Sequence, residues 1–98
     1  MNIKVRSRVT NNGTLYLKGC YADELVVLAS EGYRVELDGK TILVFSSDEN
    51  GRKLTKHNRS YLMHIPIKYK NYYNNNVMIT YVYDAKYTFI HMIKIEVI

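Results

Sequence analysis

The sequence predicts a mostly β domain with one short helix and an internal repeat, and three observations lead there. Ten Tyr and two Phe without Trp, alongside plentiful Val and Ile, favour pleated, half-buried strands. Only one stretch, residues 19–32, switches from period two to a helical period. A hairpin-turn signature occurs twice, as "LDGK" at 37–40 and "YDAK" at 83–86, each time between alternating apolar runs.

Along the chain, "IKVRSRV" (3–9) alternates, with Ile3, Val5, Ser7 and Val9 on one side and Lys4, Arg6 and Arg8 on the other. This is the pattern of a half-buried strand with three cations on its open face. "TNNG" (10–13) reads as a hairpin turn, because Asn and Gly tolerate positive φ, and "TLYLK" (14–18) as the returning strand. In "GCYADELVVLASEG" (19–32), Tyr21, Ala22, Leu25, Leu28 and Ala29 share a helical face. Asp23 and Glu24 suit a helix start and Gly32 a C-terminal cap, so a helix is expected near 20–31. "YRVEL" and "KTILVF" form a hairpin about Asp38-Gly39. "SSDENGRKLTKHNRS" (46–60) reads as a polar linker, followed by "YLMHIPIKYK", a polar "NYYNNN" (71–76) and the paired runs "VMITYVY" and "KYTFIHMIKIEV".

The chain echoes itself. Shifted by 48 residues, "GTLYLK" lies over "YLMHIP", so that Leu15 meets Met63 and Leu17 meets Ile65 in the same apolar parity. Shifted by 46, "VELDGKTILVF" lies over "YVYDAKYTFIH". A unit of about 49 residues is too small to bury a stable core alone, and a second copy supplies the missing apolar face. The expectation is one domain, 1–98, made of repeat one (1–49) and repeat two (50–98) related by a pseudo-twofold. Ala85 stands where the first turn has Gly39, so the second turn is expected to differ in type.

Charge divides unevenly between the halves. Residues 1–49 carry six Lys/Arg against seven Asp/Glu, a net of −1; residues 50–98 carry eight against two, a net of +6. An asymmetric basic surface suits an anionic partner, nucleic acid above all, although a solvated charged face gives the same pattern. Catalysis has no support: His57, His64 and His91 are scattered, and Cys20 has no evident base partner. No Cys/His cluster has metal-ligand spacing, so neither a metal nor another cofactor is expected. No apolar run approaches the roughly 18–20 residues of a membrane-spanning helix, and the N-terminus lacks the apolar segment of a signal peptide. A cytoplasmic protein is expected.

Residues 3–45 resemble the AbrB/MazE-like swapped-hairpin family of DNA-binding proteins. The resemblance is carried by "NNGTLYLK", a helix-like segment, and "SEGYRVELDGKTILVF", with Gly13, Leu15, Leu17, Glu31-Gly32 and Val35-Glu36-Leu37-Asp38-Gly39-Lys40 in the family's order. The Pro missing from the first half is found in the second, at Ile65-Pro66-Ile67. Lys18 stands where the first-copy Pro would be, Tyr61 where the second-copy Gly would be, and Tyr33 where an acidic residue is usual. The resemblance implies a swapped-hairpin-like β-barrel with both copies in one chain, either a monomeric pseudo-dimer or a homodimer. It also implies a small transcriptional regulator; an antitoxin would carry a toxin-binding tail, and the sequence stops at Ile98 in a strand-like run. Arg8 lies near the family's DNA-contacting position on the first strand, and Lys70 fits the helix position after the Pro; the first copy has Ala22 and Asp23 there.

The expected partner is therefore double-stranded DNA. The candidate contacts are Lys4, Arg6 and Arg8 on the first strand, joined by Arg52, Lys53, Lys56, Arg59, Lys68 and Lys70. Tyr72 and Tyr73 admit two readings, as a stacking platform for single-stranded bases or as part of a polar connection with one buried ring. The alternative function is a protein-binding module, such as a small inhibitor or assembly protein of a virus or other mobile element. Its motive is that seven of the ten Tyr lie in the second half and Tyr favours interfaces.

Overall fold

The computed structural model describes residues 2–17, 32–46, 50–58, 60–83 and 90–98. The helix expected near 20–31, the turn at Asp84-Ala85 and Arg59 lie outside the described residues. Eight strands are seen in them: β1 Asn2–Arg8, β2 Thr14–Leu17, β3 Tyr33–Asp38, β4 Thr41–Ser46, β5 Thr55–His57, β6 Ser60–His64, β7 Asn76–Tyr83 and β8 Ile90–Val97. They form two antiparallel sheets, one of five strands in the order β1-β7-β8-β4-β3 and one of three in the order β2-β6-β5. The single helical element among the described residues is a 3-10 helix, Ile67–Tyr72, set off by Pro66, whose φ of −55° suits a helix start.

Register follows from alternation. One face of the large sheet carries Val5, Ile79, Ile95, Ile42 and Leu37 in one row and Ile3, Tyr81, Ile93, Val44 and Val35 in the next. Ile79, Tyr81, Ile93, Ile95, Ile42 and Val44 are buried, and they share one core cluster with Leu15, Leu17, Tyr61, Met63 and Ile65 of the small sheet and its end. A one-residue slip of any central strand would turn this apolar set outward, which is why the pairing is strongly specified. The opposite face carries the rows Lys4–Thr80–Lys94–Leu43–Glu36 and Arg6–Met78–Glu96–Thr41–Asp38.

The expected hairpin of β3 and β4 is present, with Gly39 at φ 62° in its turn. Three other expectations are corrected. The first two strands do not form a hairpin ladder: β1 pairs with β7, β2 pairs with β6, and a single bridge, Val9 to Leu15, joins them. Gly13, at φ 86°, turns the chain from one sheet to the other, and the Tyr73 ring packs where its Cβ would be. The 46–60 stretch is more than a linker, because Leu54 is buried, β5 lies within it, and Arg52 bridges to Tyr33. Gly51 is needed there; a Cβ would sit 2.1 Å from the Tyr33 carbonyl oxygen.

The third correction concerns the barrel. The strands do not close into one: among the described residues only single bridges, Val9–Leu15 and Tyr33–Arg52, join the large sheet to what lies beyond it, leaving β1 and β3 as the edges of an open five-stranded sheet. Closure needs continuous ladders around the circuit. Here β4 and β8 use their free sides on each other at the centre of the sheet instead.

Candidate nucleic-acid interface

β1 is an edge strand, and alternation places Lys4, Arg6 and Arg8 on its outer face, all three exposed. Successive members of the row stand about 7 Å apart along the strand. Their cross-strand neighbours on β7 are Thr80, Met78 and Asn76, so no carboxylate lies directly opposite any of them. Arg8 donates a 3.4 Å hydrogen bond from Nη1 to Asn76 Oδ1, and the only ion pair among the described residues is elsewhere, between Arg34 and Glu36. A row of cations with neutral neighbours keeps its full charge for an external anion.

Of the other described candidates, Arg52, Lys53 and Lys68 line clefts beside Tyr33 of β3, and Lys56 and Lys70 lie on β5 and the 3-10 helix. Arg52 is fixed by two main-chain hydrogen bonds with Tyr33, the Tyr33 N–H donating at 2.7 Å and the Arg52 N–H at 3.0 Å. Its side chain borders two clefts. One, of about 440 Å³, also takes in Lys53 and His64; the other takes in Arg34 and Lys68. Lys56 is exposed on β5 opposite Tyr61. On the 3-10 helix Lys70 is exposed, and Lys68 sets its Nζ 5.1 Å from the Tyr69 ring centroid. The β1 and β3 edges are four strand spacings apart, about 19 Å. The eight sequence-selected cations among the described residues therefore form no single patch: Lys4, Arg6 and Arg8 hold one edge, and Arg52 and Lys68 meet in a cleft beside the other.

Tyrosines settle into the core more than the sequence pattern reveals. Tyr33, Tyr61 and Tyr81 are buried, while Tyr69, Tyr72, Tyr73 and Tyr83 pack against the core cluster. Tyr73 donates its hydroxyl to the Ile65 carbonyl at 2.6 Å and Tyr72 to the Lys40 carbonyl at 2.9 Å, which fastens both rings and argues against a base-stacking platform. Burial raises the Tyr33 phenol above its ordinary 10.0, opposed by a hydrogen bond with the His64 backbone and by the Arg52 charge.

Two residues on the outer face escaped the sequence reading. Lys94 on β8 stands in the same row as Lys4, and Thr80 lies between them. The alternation of "MIKIEV" gives Lys94 its face, but only the order of strands tells that this face is shared with β1. No group of three or more His, Cys, Asp or Glu among the described residues is placed to hold a metal ion, and no helix among them is long and apolar enough to cross a membrane. Comparison with protein-family models, with curated proteins and with solved structures finds no match to this chain.

Proposed function

We propose that this chain binds double-stranded DNA, with the outer face of β1 tracking backbone phosphates, and that it serves as a small transcriptional regulator. The observation that carries the reading is the row Lys4, Arg6 and Arg8, exposed along a sheet edge and faced by Thr80, Met78 and Asn76 rather than by carboxylates. Strand spacing of about 7 Å between alternate side chains is close to the phosphate repeat along one DNA strand. Neutralising phosphates releases counterions, so the affinity falls steeply with salt.

The reading includes a duplication. The two strand pairs singled out by the sequence echo are ladder neighbours, β2 with β6 and β4 with β8, and Leu15 pairs directly with Met63. Strand order supports it further. β1 flanks β7 on one side of the large sheet, and the Arg52 bridge flanks β3 on the other. The 48-residue shift carries Lys4 onto Arg52 and Arg8 onto Lys56. On this account the chain is a monomeric pseudo-dimer, with Arg52 beside β3 as the counterpart of Lys4 on β1. Sedimentation as an obligate dimer at every accessible concentration would instead favour the two-chain arrangement.

The direct test of binding is a gel-shift titration of the purified chain against random-sequence duplex DNA at low salt. A shifted complex that dissolves as salt is raised supports the reading. The absence of any complex at low salt removes it.

A further inference from the structure

We infer that Lys4, Thr80 and Lys94 form a seat for one phosphate group on the outer face of the large sheet. This inference rests on the DNA-binding reading and sharpens it, naming a contact two strands in from the β1 edge. Three observations carry it. Thr80 is 3% exposed, and its Oγ1 is a buried hydroxyl with no hydrogen-bond partner. Its direct cross-strand neighbours are Lys4 on one side and Lys94 on the other. Neither lysine has an ion-pair partner among the described residues, where Arg34–Glu36 is the only salt bridge.

Buried hydroxyls in folded proteins are nearly always paired, and an unpaired one often marks a group that meets its partner only on binding. Directly opposed side chains in adjacent strands have Cβ atoms about 5 Å apart, so the two lysine stems rise roughly 10 Å apart with Thr80 between them. Ammonium groups on stems of that length can converge on one tetrahedral anion. The Thr80 hydroxyl, a donor without an acceptor, points its proton to a phosphate oxygen once the lysine side chains swing to admit it. Among the described residues, Glu96 is an acid on the same face, one alternate position along β8 from Lys94, and it faces Met78 and Thr41 rather than Thr80. It limits the charge of the face without occupying the seat.

The seat makes an unusual combined prediction. Thr80→Val keeps the shape and removes the unpaired hydroxyl, so it should leave the thermal midpoint unchanged or raise it while weakening duplex DNA binding about three- to tenfold. Lys94→Gln should lower the log–log salt slope of DNA binding by about 0.9, the loss of one phosphate contact. If the native chain binds DNA and both variants match it in affinity and slope, the seat is wrong while the DNA reading stands. If the native chain binds no DNA, that reading falls, and titration of the ¹⁵N-labelled chain with inorganic pyrophosphate decides the seat alone. Amide shifts centred on Lys4, Thr80 and Lys94 would sustain it; their absence there would overturn it.

Discussion

The two edges of the five-stranded sheet, β1 and β3, share the same alternation and carry different electrostatics. On β1 the outward residues Lys4, Arg6 and Arg8 are all cations, next to neutral partners on β7. On β3 the outward residues are Arg34, Glu36 and Asp38; Arg34 Nε donates to Glu36 Oε1 at 3.0 Å, and its guanidinium lies 4.5 Å from the centroid of Phe45. Both edges are charged, as exposed edges must be to resist pairing with other chains. The β1 edge leaves all three of its charges without an ion-pair partner among the described residues, whereas on β3 Arg34 and Glu36 pair and Asp38 alone is left. Edge protection alone is served equally well by a mixed row, so the uniform sign on β1 is the feature on which the proposed DNA contact is built.

The largest effects should come from the two glycines at the corners that attach these edges to the small sheet. Gly13→Ala meets the Tyr73 ring at 2.4 Å and forces a side chain onto φ 86°, and Gly51→Ala drives a methyl into the Tyr33 carbonyl. Overpacking and strain of this kind each cost about 1–3 kcal/mol. Gly13→Ala, which incurs both, should lose about 3 kcal/mol in urea unfolding and Gly51→Ala about 2. Equal stability of either variant with the native chain would show that the corner is looser than described.

A smaller effect separates the edges by pH. Burial holds the Tyr33 phenol above its ordinary 10.0, so the folded state favours the protonated ring. The stability this contributes is complete below the unfolded value, near 10, and is lost as pH rises through the higher folded value. Alkaline solution should therefore loosen the β3 edge, where Tyr33 bridges Arg52, before it loosens β1. Amide exchange at Tyr33 and Arg52 should accelerate above pH 10 relative to the amides of β1, and Tyr33→Phe should abolish the difference.

Glu36→Gln should matter least. The Arg34–Glu36 side chains are 48% and 53% exposed, so the pair is heavily screened. Its removal should change unfolding free energy by less than about 1 kcal/mol. A larger loss in thermal unfolding would mean that the β3 edge depends on its ion pair and is a poorer control for β1.

How far the sequence foretold these two edges depends on what each was made of. The alternation of Ile3 to Arg8 was legible, because side-chain parity is local: the cations are exposed and Ile3 and Val5 half-buried. The Asp38-Gly39 turn was legible for the same reason. Strand partners were not. Asn-Gly at 12–13 is a strong local hairpin signal, yet the chain there crosses between sheets: β1 is laddered along its whole length to β7, and β2 is laddered to β6. The polar composition of residues 46–60 hid β5 and the Arg52 bridge, whose single buried apolar anchor, Leu54, gives no periodicity. At the candidate site the β1 row was readable, whereas Thr80 and Lys94 emerged only when register set them beside Lys4.

The most direct test of the account compares the edges within one experiment. Fluorescence anisotropy against a duplex over a salt series would be run on the native chain, on Arg6→Ala/Arg8→Ala, and on Arg34→Ala. The account predicts that the β1 double variant loses affinity and about 1.8 units of log–log salt slope, about 0.9 for each lost phosphate contact, while Arg34→Ala keeps the native slope. Native slope in the double variant, or an equal loss in Arg34→Ala, would contradict it.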